Sequence, residues 1–365
     1  MRIRAIASVA FFLVVQAANA QLYVRGSTAA DAREVSRITR EGVVVGEHAT
    51  ELVPWYEVKD VRGEFEEEAR PYLPIAERAW RAKSRLERHD YELAFRLFAA
   101  LFEEYDTGDG PTSSMIAQGQ LACTLERGRE LDALAPFFGT LLGRQTDSIA
   151  PAFVRIDPET RLAPELPPFW IPPNIQRAAH AISTARPDES DADGSQFAIA
   201  SMYLLLAIDP EQAARGERVA VVHDQQDPGH ALLNALLISR IGSAEQRRES
   251  RMKLDGFIDD HRGTWMEAWC RIGIGRSLLR ESDESDRRRA VIEFLHVPSH
   301  LDTSHYVTAL SLAFACDALI ELGEIEQAQR LARLLARYPS QQDTNEWIER
   351  RLGAAEQLIT NEENE

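Results

Sequence analysis

Hydrophobic positions along the chain follow two different periods. Between residues 21 and 62, β-branched and aromatic side chains cluster in the runs LYVRG, EVSRIT, GVVVG and ELVPWYEVKDV, separated by glycine or charged turns. Such runs are typical of β-strands, and Arg40-Glu41-Gly42 between the second and third run predicts a hairpin turn. Four short strands bury little apolar surface on their own, so we expect a small curled sheet packed against helices.

From Phe65 onwards the apolar residues recur every three or four positions, which is the spacing of one face of a helix. The segment 90–105 shows this stripe most clearly, with Ala94, Leu97, Phe98, Leu101 and Tyr105. The pattern predicts a mainly α-helical protein. The predicted helices are 76–88, 90–105, 113–127, 130–142, 195–207, 229–240, 244–260, 264–279, 286–295, 303–321, 324–338 and 342–358.

Prolines interrupt the helical pattern between Pro151 and Pro173, where seven of the 17 prolines lie. Neither a helix nor a central strand tolerates that density, so the segment is predicted to be extended. The acidic stretch that follows, ARPDESDADG, is predicted to be solvated. The predicted organisation is a signal peptide (1–20), a small β module (21–62), an N-terminal helical repeat region (65–150), a proline-rich and acidic linker (151–194) and a C-terminal helical region (195–360).

Two aromatic residues, Phe169 and Trp170, lie between proline pairs inside this predicted linker. An extended proline-rich segment loses little conformational entropy when it binds, so both side chains are candidate partner-binding residues. The alternative is that they pack onto their own domain.

One helical segment occurs twice, as LERHDYELAFRLFAALFEEY from Leu86 and as IELGEIEQAQRLARLLARYP from Ile320. A small residue, Ala94 or Ala328, follows each inter-helix turn at the same offset. This spacing is typical of antiparallel helices that cross closely at an alanine, the unit of stacked helical repeats.

The last helix pair resembles the tetratricopeptide repeat (TPR), with Gly323 at the turn, Ala328 five residues later and Pro339 near the end of the second helix. The resemblance implies a solenoid of α-α repeats that binds a protein partner. The EGVVV and VPWYEV runs make residues 21–62 similar to the small Sm-like or SH3-like β modules of exported bacterial proteins.

Arginines alternate with the predicted apolar stripe of the last pair. Leu331 and Leu335 belong to the stripe, and the opposite face carries Arg330, Arg333 and Arg337. We expect these three arginines to be exposed and to attract an acidic partner, because charge complementarity steers association.

The first residues predict export. Arg2 and Arg4 precede an apolar run, and Ala18-Asn19-Ala20 supplies the small residues of a cleavage site. The run is too short to span a bilayer, and no later stretch is apolar for long enough, so no transmembrane segment is expected after cleavage. The mature protein is therefore expected in the periplasm or outside the cell.

The net charge argues against nucleic acid as a partner. Loss of Arg2 and Arg4 changes the formal charge from −17 to −19, which repels a phosphate backbone.

Several short patterns carry the residue types of metal or catalytic sites. Three histidines, His296, His300 and His305, lie within ten residues, but Pro298 argues against a helix that would align the first two. The sequence predicts a loop with scattered histidines there.

The acidic residues Glu189, Asp191 and Asp193 match the opening of a calcium loop, yet the twelfth position is Ala200, where calcium needs a bidentate Glu. Ser250 and Lys253 have the S-x-x-K spacing without the segments that accompany it in serine hydrolases. No catalytic, cofactor-binding or metal-binding residue is therefore assigned.

Three cysteines are too few for a disulfide framework. Cys270 and Cys316 lie on apolar helical faces, where buried free thiols are expected. A bridge between them is the alternative, which would leave Cys123 unpaired.

Together these features predict an exported, non-enzymatic protein-interaction scaffold of the cell envelope, built from TPR-like helical repeats, whose partner is an unidentified protein. The alternative is an envelope enzyme, for example a glycan-acting hydrolase, whose carboxylates meet across a helical cleft.

The mature chain should begin at Gln21, because signal peptidase cuts after the small residue that ends the Ala18-x-Ala20 site. Intact-mass measurement of the exported protein tests this. A mass that retains residues 1–20 would mean that the leader serves as an anchor.

Overall fold

A computed structural model describes residues 20–26, 33–46, 51–105, 108, 110–142, 149, 151–185, 194–208 and 227–362. The chain divides into two compact units, residues 1–81 and residues 82–365. The predicted signal peptide, apart from Ala20, lies outside the described residues. No helix in the described ranges is long and apolar enough to cross a membrane.

The first unit contains a five-stranded antiparallel sheet with the strand order β4-β3-β2-β1-β5. The strands are β1 (Gln21–Val24), β2 (Arg33–Thr39), β3 (Gly42–Val45), β4 (Glu51–Pro54) and β5 (Val58–Arg62). Two helices follow, α1 (Glu66–Ala69) and α2 (Leu73–Leu86), and the boundary between the units falls within α2.

The predicted hairpin at residues 40–42 is confirmed, because Thr39 pairs directly with Gly42 across the turn. The predicted fourth strand is instead two strands, since residues 55–57 form a 3-10 turn after Pro54. This turn buries Trp55 completely. The Trp55 ring stacks on Tyr72 at 4.9 Å between centroids, and its Nε1 donates a hydrogen bond to the Arg40 carbonyl at 2.7 Å. The sheet thus packs against residues of α1 and of the start of α2, as expected.

The second unit is helical in its described parts, as the apolar spacing predicted. Its helices are α3 (Tyr91–Glu104), α4 (Pro111–Glu126), α5 (Glu130–Leu142), α6 (Ile175–Ala185), α7 (Gly194–Ala207), α8 (Pro228–Ile241), α9 (Ala244–Asp260), α10 (Trp265–Leu278), α11 (Glu284–His300), α12 (His305–Glu321), α13 (Ile325–Leu335) and α14 (Gln342–Glu362).

Helices of the second unit pack in chain order, each against the next. In addition α8, α10, α12 and α14 contact one another in succession, which places them in one layer. The helices α9, α11 and α13 alternate with them along the chain, and each packs against both of its neighbours. Side chains of α10 and α12 are buried nearly all round, as expected for helices covered on every side.

Three inter-helix turns share one hydrogen-bond pattern. At residues 85–94, 124–133 and 319–328, the fifth and sixth residues donate their N–H groups back to the second and first carbonyls. His89, Gly128 and Gly323 occupy the same position and all have positive φ, at 59°, 64° and 74°. Each turn is followed by a fully buried alanine: Ala94, Ala133 and Ala328. The turn at 124–133, with the sequence LERGRELDA from Leu125, is a third copy that the sequence comparison overlooked.

The proline-rich segment, residues 151–174, lies inside the second unit. It lacks helix and strand except for two 3-10 turns, which agrees with the predicted extended form. Side chains of α7, α10 and α12, which we call the inner helices, donate hydrogen bonds to its carbonyls. These bonds run from Tyr203 Oη to Leu166 at 2.8 Å, from Trp269 Nε1 to Pro164 at 3.2 Å and from Tyr306 Oη to Phe169 at 3.2 Å.

The prediction of a linker at 151–194 is therefore wrong for its described part. Leu162, Leu166 and Ile171 belong to the same core as residues from α4 to α14, and residues 175–185 form the amphipathic helix α6, which the sequence analysis missed. The acidic residues 186–193 lie outside the described part of the chain.

Phe169 and Trp170 are 1% and 2% exposed, so the partner-binding interpretation of these two side chains is corrected. They fill the core, and the Trp170 ring lies 6.3 Å from that of Tyr306. The alternative of packing onto their own domain describes the structure, because burial of two large aromatic side chains stabilises the fold more than exposure would.

Close approach between α8 and the proline-rich segment makes Gly229 a sensitive position. A Cβ atom there would lie 2.0 Å from the Thr160 carbonyl oxygen. Gly229→Ala should lower the free energy of unfolding by about 1 to 3 kcal/mol, since the backbone must move. Urea unfolding of the full chain measures this change.

The matched control is Gly256→Ala in α9, where a Cβ meets no atom within 4 Å. This change should stabilise the protein by up to about 1 kcal/mol, because alanine favours helix. Equal changes in the free energy of unfolding for Gly229→Ala and Gly256→Ala would contradict the close approach of the proline-rich segment to α8.

Candidate functional site

Two adjoining cavities lie where the turn between α4 and α5 meets the turn between α13 and α14. Their volumes are about 440 and 350 Å³. Both are lined by Gly128, Glu130, Tyr306, Ser340 and Gln341. Residues more than 200 positions apart thus form one polar site, which we call the junction site.

Backbone and side-chain contacts hold the two turns together. A Cβ atom on Gly128 would lie 3.0 Å from the Ser340 Cβ, so glycine permits the close approach. Gln341 Nε2 donates a hydrogen bond to Glu130 Oε1 at 3.0 Å. On the rim, Arg177 Nη1 lies 2.8 Å from Asp343 Oδ2 and joins α6 to α14.

Glu130 is the unusual group of the junction site. It opens α5, and only 8% of the residue is exposed. Burial raises the pKa of Glu130 to about 7, and the hydrogen bond from Gln341 opposes this rise. Tyr306 lies nearby, and burial followed by the charge of Glu130 raises the pKa of its hydroxyl.

A second carboxyl group, that of Glu165, lines the larger cavity. Arg155 Nη1 binds Glu165 Oε1 at 2.7 Å, and Arg155 Nη2 binds Glu126 at 2.9 Å. The site therefore combines a carboxyl that exchanges its proton near neutral pH with a carboxylate in an ion pair. A buried carboxyl group with a raised pKa, such as that of Glu130, is the kind of group that general acid–base chemistry uses.

The sequence analysis missed Glu130 and Glu165. An acidic residue at the first position of a helix is common, because it complements the helix dipole, so Glu130 carried no distinctive signal. Glu165 lies in the segment that the proline density predicts to be a linker.

Arg330, Arg333 and Arg337 are exposed, as predicted, while Ala328 and Leu335 of the same helix are buried. A cavity of about 380 Å³ lies between α13 and α14. Arg333 and Glu349 lie among its lining residues, and the apolar lining consists of Ala332, Leu335, Ala336, Ile348 and Leu352.

The predicted histidine loop is wrong, because α11 continues through Pro298 to His300. Proline removes the N–H that would bind the Phe294 carbonyl, and Ser311 Oγ of α12 donates to that carbonyl at 2.7 Å instead. His296 and His300 therefore stack, with ring centroids 4.3 Å apart. His296 Nε2 lies 3.1 Å from Glu267, which also pairs with Arg271 and accepts a hydrogen bond from the Gly263 N–H.

No group of three or more His, Cys, Asp or Glu residues able to hold a metal ion occurs in the described residues. The calcium-like residues Glu189, Asp191 and Asp193 lie outside them.

The remaining candidates are structural. Ser250 Oγ is buried and donates to the Ala235 carbonyl at 2.6 Å, so it is not placed as a nucleophile. Cys123, Cys270 and Cys316 are buried free thiols, and burial raises the pKa of each. A raised pKa opposes thiolate chemistry. Trp269 and Met266 are core residues, and Trp265 packs against that core.

Comparison of the chain with protein-family models, with curated proteins and with solved structures gives no match.

The raised pKa of Glu130 predicts a specific pH dependence of stability. An unfolded glutamate ionises near 4.5 and folded Glu130 near 7, so between these values the folded state holds more protons. The contribution of Glu130 to the free energy of unfolding therefore falls as the pH rises from 4.5 to 7 and is constant above that. Glu130→Gln keeps the hydrogen-bond acceptor and removes the ionisation.

Relative to the wild type, Glu130→Gln should gain about 1 to 3 kcal/mol of stability between pH 5 and pH 8, measured by urea unfolding at each pH. The control is Glu249→Gln, at an exposed glutamate of α9. This change should leave the pH dependence of the wild type unaltered. A gain for Glu249→Gln equal to that for Glu130→Gln would show that the burial of Glu130 is not its cause.

Proposed function

We propose that the protein is an exported, non-enzymatic scaffold of the cell envelope, built from TPR-like helical repeats, which binds a protein partner through its C-terminal helices. One observation carries the proposal. The inner helices of the second unit are covered by the chain's own proline-rich segment, whereas Arg330 and Arg333 of α13 and Arg337 in the turn after it are exposed to solvent, and Arg333 lines the groove between α13 and α14.

The TPR-like assignment is supported by the chain-order packing of the helices and by the three turns with one hydrogen-bond pattern and a buried alanine. Repeats of this kind bury their faces against neighbours and use the remaining surface for binding. The strand order β4-β3-β2-β1-β5, with a 3-10 turn before β5, supports an SH3-like first unit.

The surface of α13 and α14 favours an acidic, amphipathic helix as the bound element. Ala332 and Ala336 keep accessible apolar surface at this groove, Leu335, Ile348 and Leu352 form its buried wall, and Arg333 lies among the lining residues. Helix-in-groove binding uses apolar anchors of this kind for affinity, and the surrounding charges determine orientation and rate of association.

Export is supported by the leader sequence. Cleavage after Ala20 leaves all five strands of the sheet in place, because β1 begins at Gln21.

Replacement of Arg330, Arg333 and Arg337 by serine should leave the fold intact. It should weaken binding of the partner that a crosslinking pull-down of the native protein identifies. The reason is that the three side chains are exposed and only Arg330 forms an ion pair among described residues, with Glu326 at 3.7 Å. The change in binding is measured with the purified partner at two salt concentrations.

The matched control replaces the exposed Arg248, Arg262 and Arg280 by serine, which changes the net charge equally. It should bind the partner like the wild type. Equal loss in both triple variants would show that net charge, and not the surface of α13, governs binding.

The hydrolase alternative rests on Glu130 and Glu165 at the junction site. Hydrolysis of end-labelled oligosaccharides by the wild type, lost in the Glu130→Gln variant, would replace the scaffold proposal by that alternative.

A further inference from the structure

The junction site combines open space with polar walls. Its two cavities, of about 440 and 350 Å³, fall within the usual size range of small-molecule sites. Four polar side chains that are each no more than 9% exposed line the smaller cavity: Glu130, Asn174, Gln341 and Thr344. Empty cavities in protein cores are lined by apolar groups, whereas buried polar groups need hydrogen-bond partners. These walls are therefore suited to a polar ligand.

Carboxyl groups outnumber guanidinium groups around the two cavities. The titratable lining side chains come from α4 and the turn after it, α5, α6, α12, α14 and the proline-rich segment. They are the carboxyls of Glu126, Glu130, Asp132, Glu165 and Asp343, the guanidiniums of Arg127, Arg129 and Arg177, the His305 imidazole and the Tyr306 hydroxyl. This excess of negative charge favours a cationic ligand.

Each guanidinium of this lining already has an acidic partner. The ion pairs are Arg127 with Glu92, Arg129 with Asp132 and Arg177 with Asp343. Arg155, which is outside the lining, pairs with both Glu126 and Glu165. These pairs leave Glu130 as the one lining carboxyl that has no cationic partner among the described residues.

Glu130 also keeps an unused acceptor. Gln341 Nε2 donates to its Oε1 at 3.0 Å, and no other described residue donates to its Oε2. Burial, and after it the negative charges of Glu165 and Asp132, raise the pKa of Glu130 to about 7, so its ionised form lacks a counter-charge. A buried carboxylate is stabilised most by a cation at hydrogen-bond distance. A ligand that brings a positive charge into the cavity would supply this missing counter-charge.

We propose that the junction site binds a small organic ligand through a primary ammonium group of that ligand, which pairs with the Glu130 carboxylate. An ammonium group has three N–H donors, so it binds Oε2 of Glu130 and neighbouring oxygens at the same time. Hydroxyl or amide groups elsewhere on the ligand would bond to Asn174 and Thr344. The inference concerns binding, so it depends neither on the partner surface of α13 and α14 nor on hydrolysis.

The test is titration of the full chain with 4-aminobutanol at constant ionic strength and pH 8, where the carboxyl and the ammonium group are both ionised. Calorimetry should show saturable binding, and the melting temperature should rise saturably. The matched probe is 1,4-butanediol, which has a hydroxyl in place of the ammonium group. It should bind about ten- to hundredfold more weakly, because it lacks the charge-assisted hydrogen bonds to Glu130.

The affinity should also depend on pH in a defined direction. Below pH 7 the Glu130 carboxyl is protonated and the ion pair is lost, while the ammonium group keeps its charge up to about pH 10. Between pH 6 and pH 8 the dissociation constant of the amino alcohol should therefore fall about tenfold, which calorimetry at each pH measures.

Glu130→Gln keeps a hydrogen-bond acceptor and removes the charge. Its affinity for the amino alcohol at pH 8 should be about ten- to hundredfold below that of the wild type, and it should no longer change between pH 6 and pH 8. Glu249→Gln, at the exposed glutamate of α9, should bind like the wild type at each pH.

Any one of four results would overturn the proposal: no saturable binding of the amino alcohol to the wild type, equal affinity for the amino alcohol and the diol, an affinity that is the same at pH 6 and pH 8, or an unchanged affinity in Glu130→Gln. The first three need only the wild type, so the test decides even if that variant does not fold.

Discussion

Seven prolines within residues 151–173 create a run of backbone that has many carbonyl groups and few N–H groups, and much of it is buried. Buried carbonyls need donors, and a segment of this composition cannot supply them through a helix or a strand ladder. Tyr203, Trp269 and Tyr306 supply them from the inner helices. Each of these side chains also fills core volume, so one residue meets both requirements. The packing of the second unit depends on these hydrogen bonds between the inner helices and the proline-rich segment.

The same hydrogen bonds are the reason that the proposed partner site is not placed on the inner helices. An open layer of repeat helices offers its inner face to a partner, but here the chain's own segment lies on α7, α8, α10 and α12. A partner would have to displace Phe169 and Trp170 from the core before it could bind there. The outer surface of the last helices needs no such displacement, which is why the proposed partner site lies on α13 and α14.

Many charged side chains form ion pairs between neighbouring helices. The chain is strongly acidic, yet arginines link neighbouring helices through half-buried ion pairs, for example Arg247 with Glu281 and Arg271 with Glu293. Exposed pairs contribute little to stability, while pairs between helices fix their relative register. Against this background one group stands apart, the buried carboxyl of Glu130. It lies where distant parts of the chain meet.

Local residue patterns determined the secondary structure of this protein to a large extent. Apolar spacing predicted the helix pairs, and β-branched runs with Arg40-Glu41 predicted the hairpin, because both signals act over a few residues. Tertiary structure decided the rest. Ser311 allows α11 to pass Pro298, the inner helices bury Phe169 and Trp170, and Gln341 meets Glu130 across 211 positions. Each of these features depends on a contact with a residue that is remote in sequence. A local residue pattern does not predict which remote residue makes that contact.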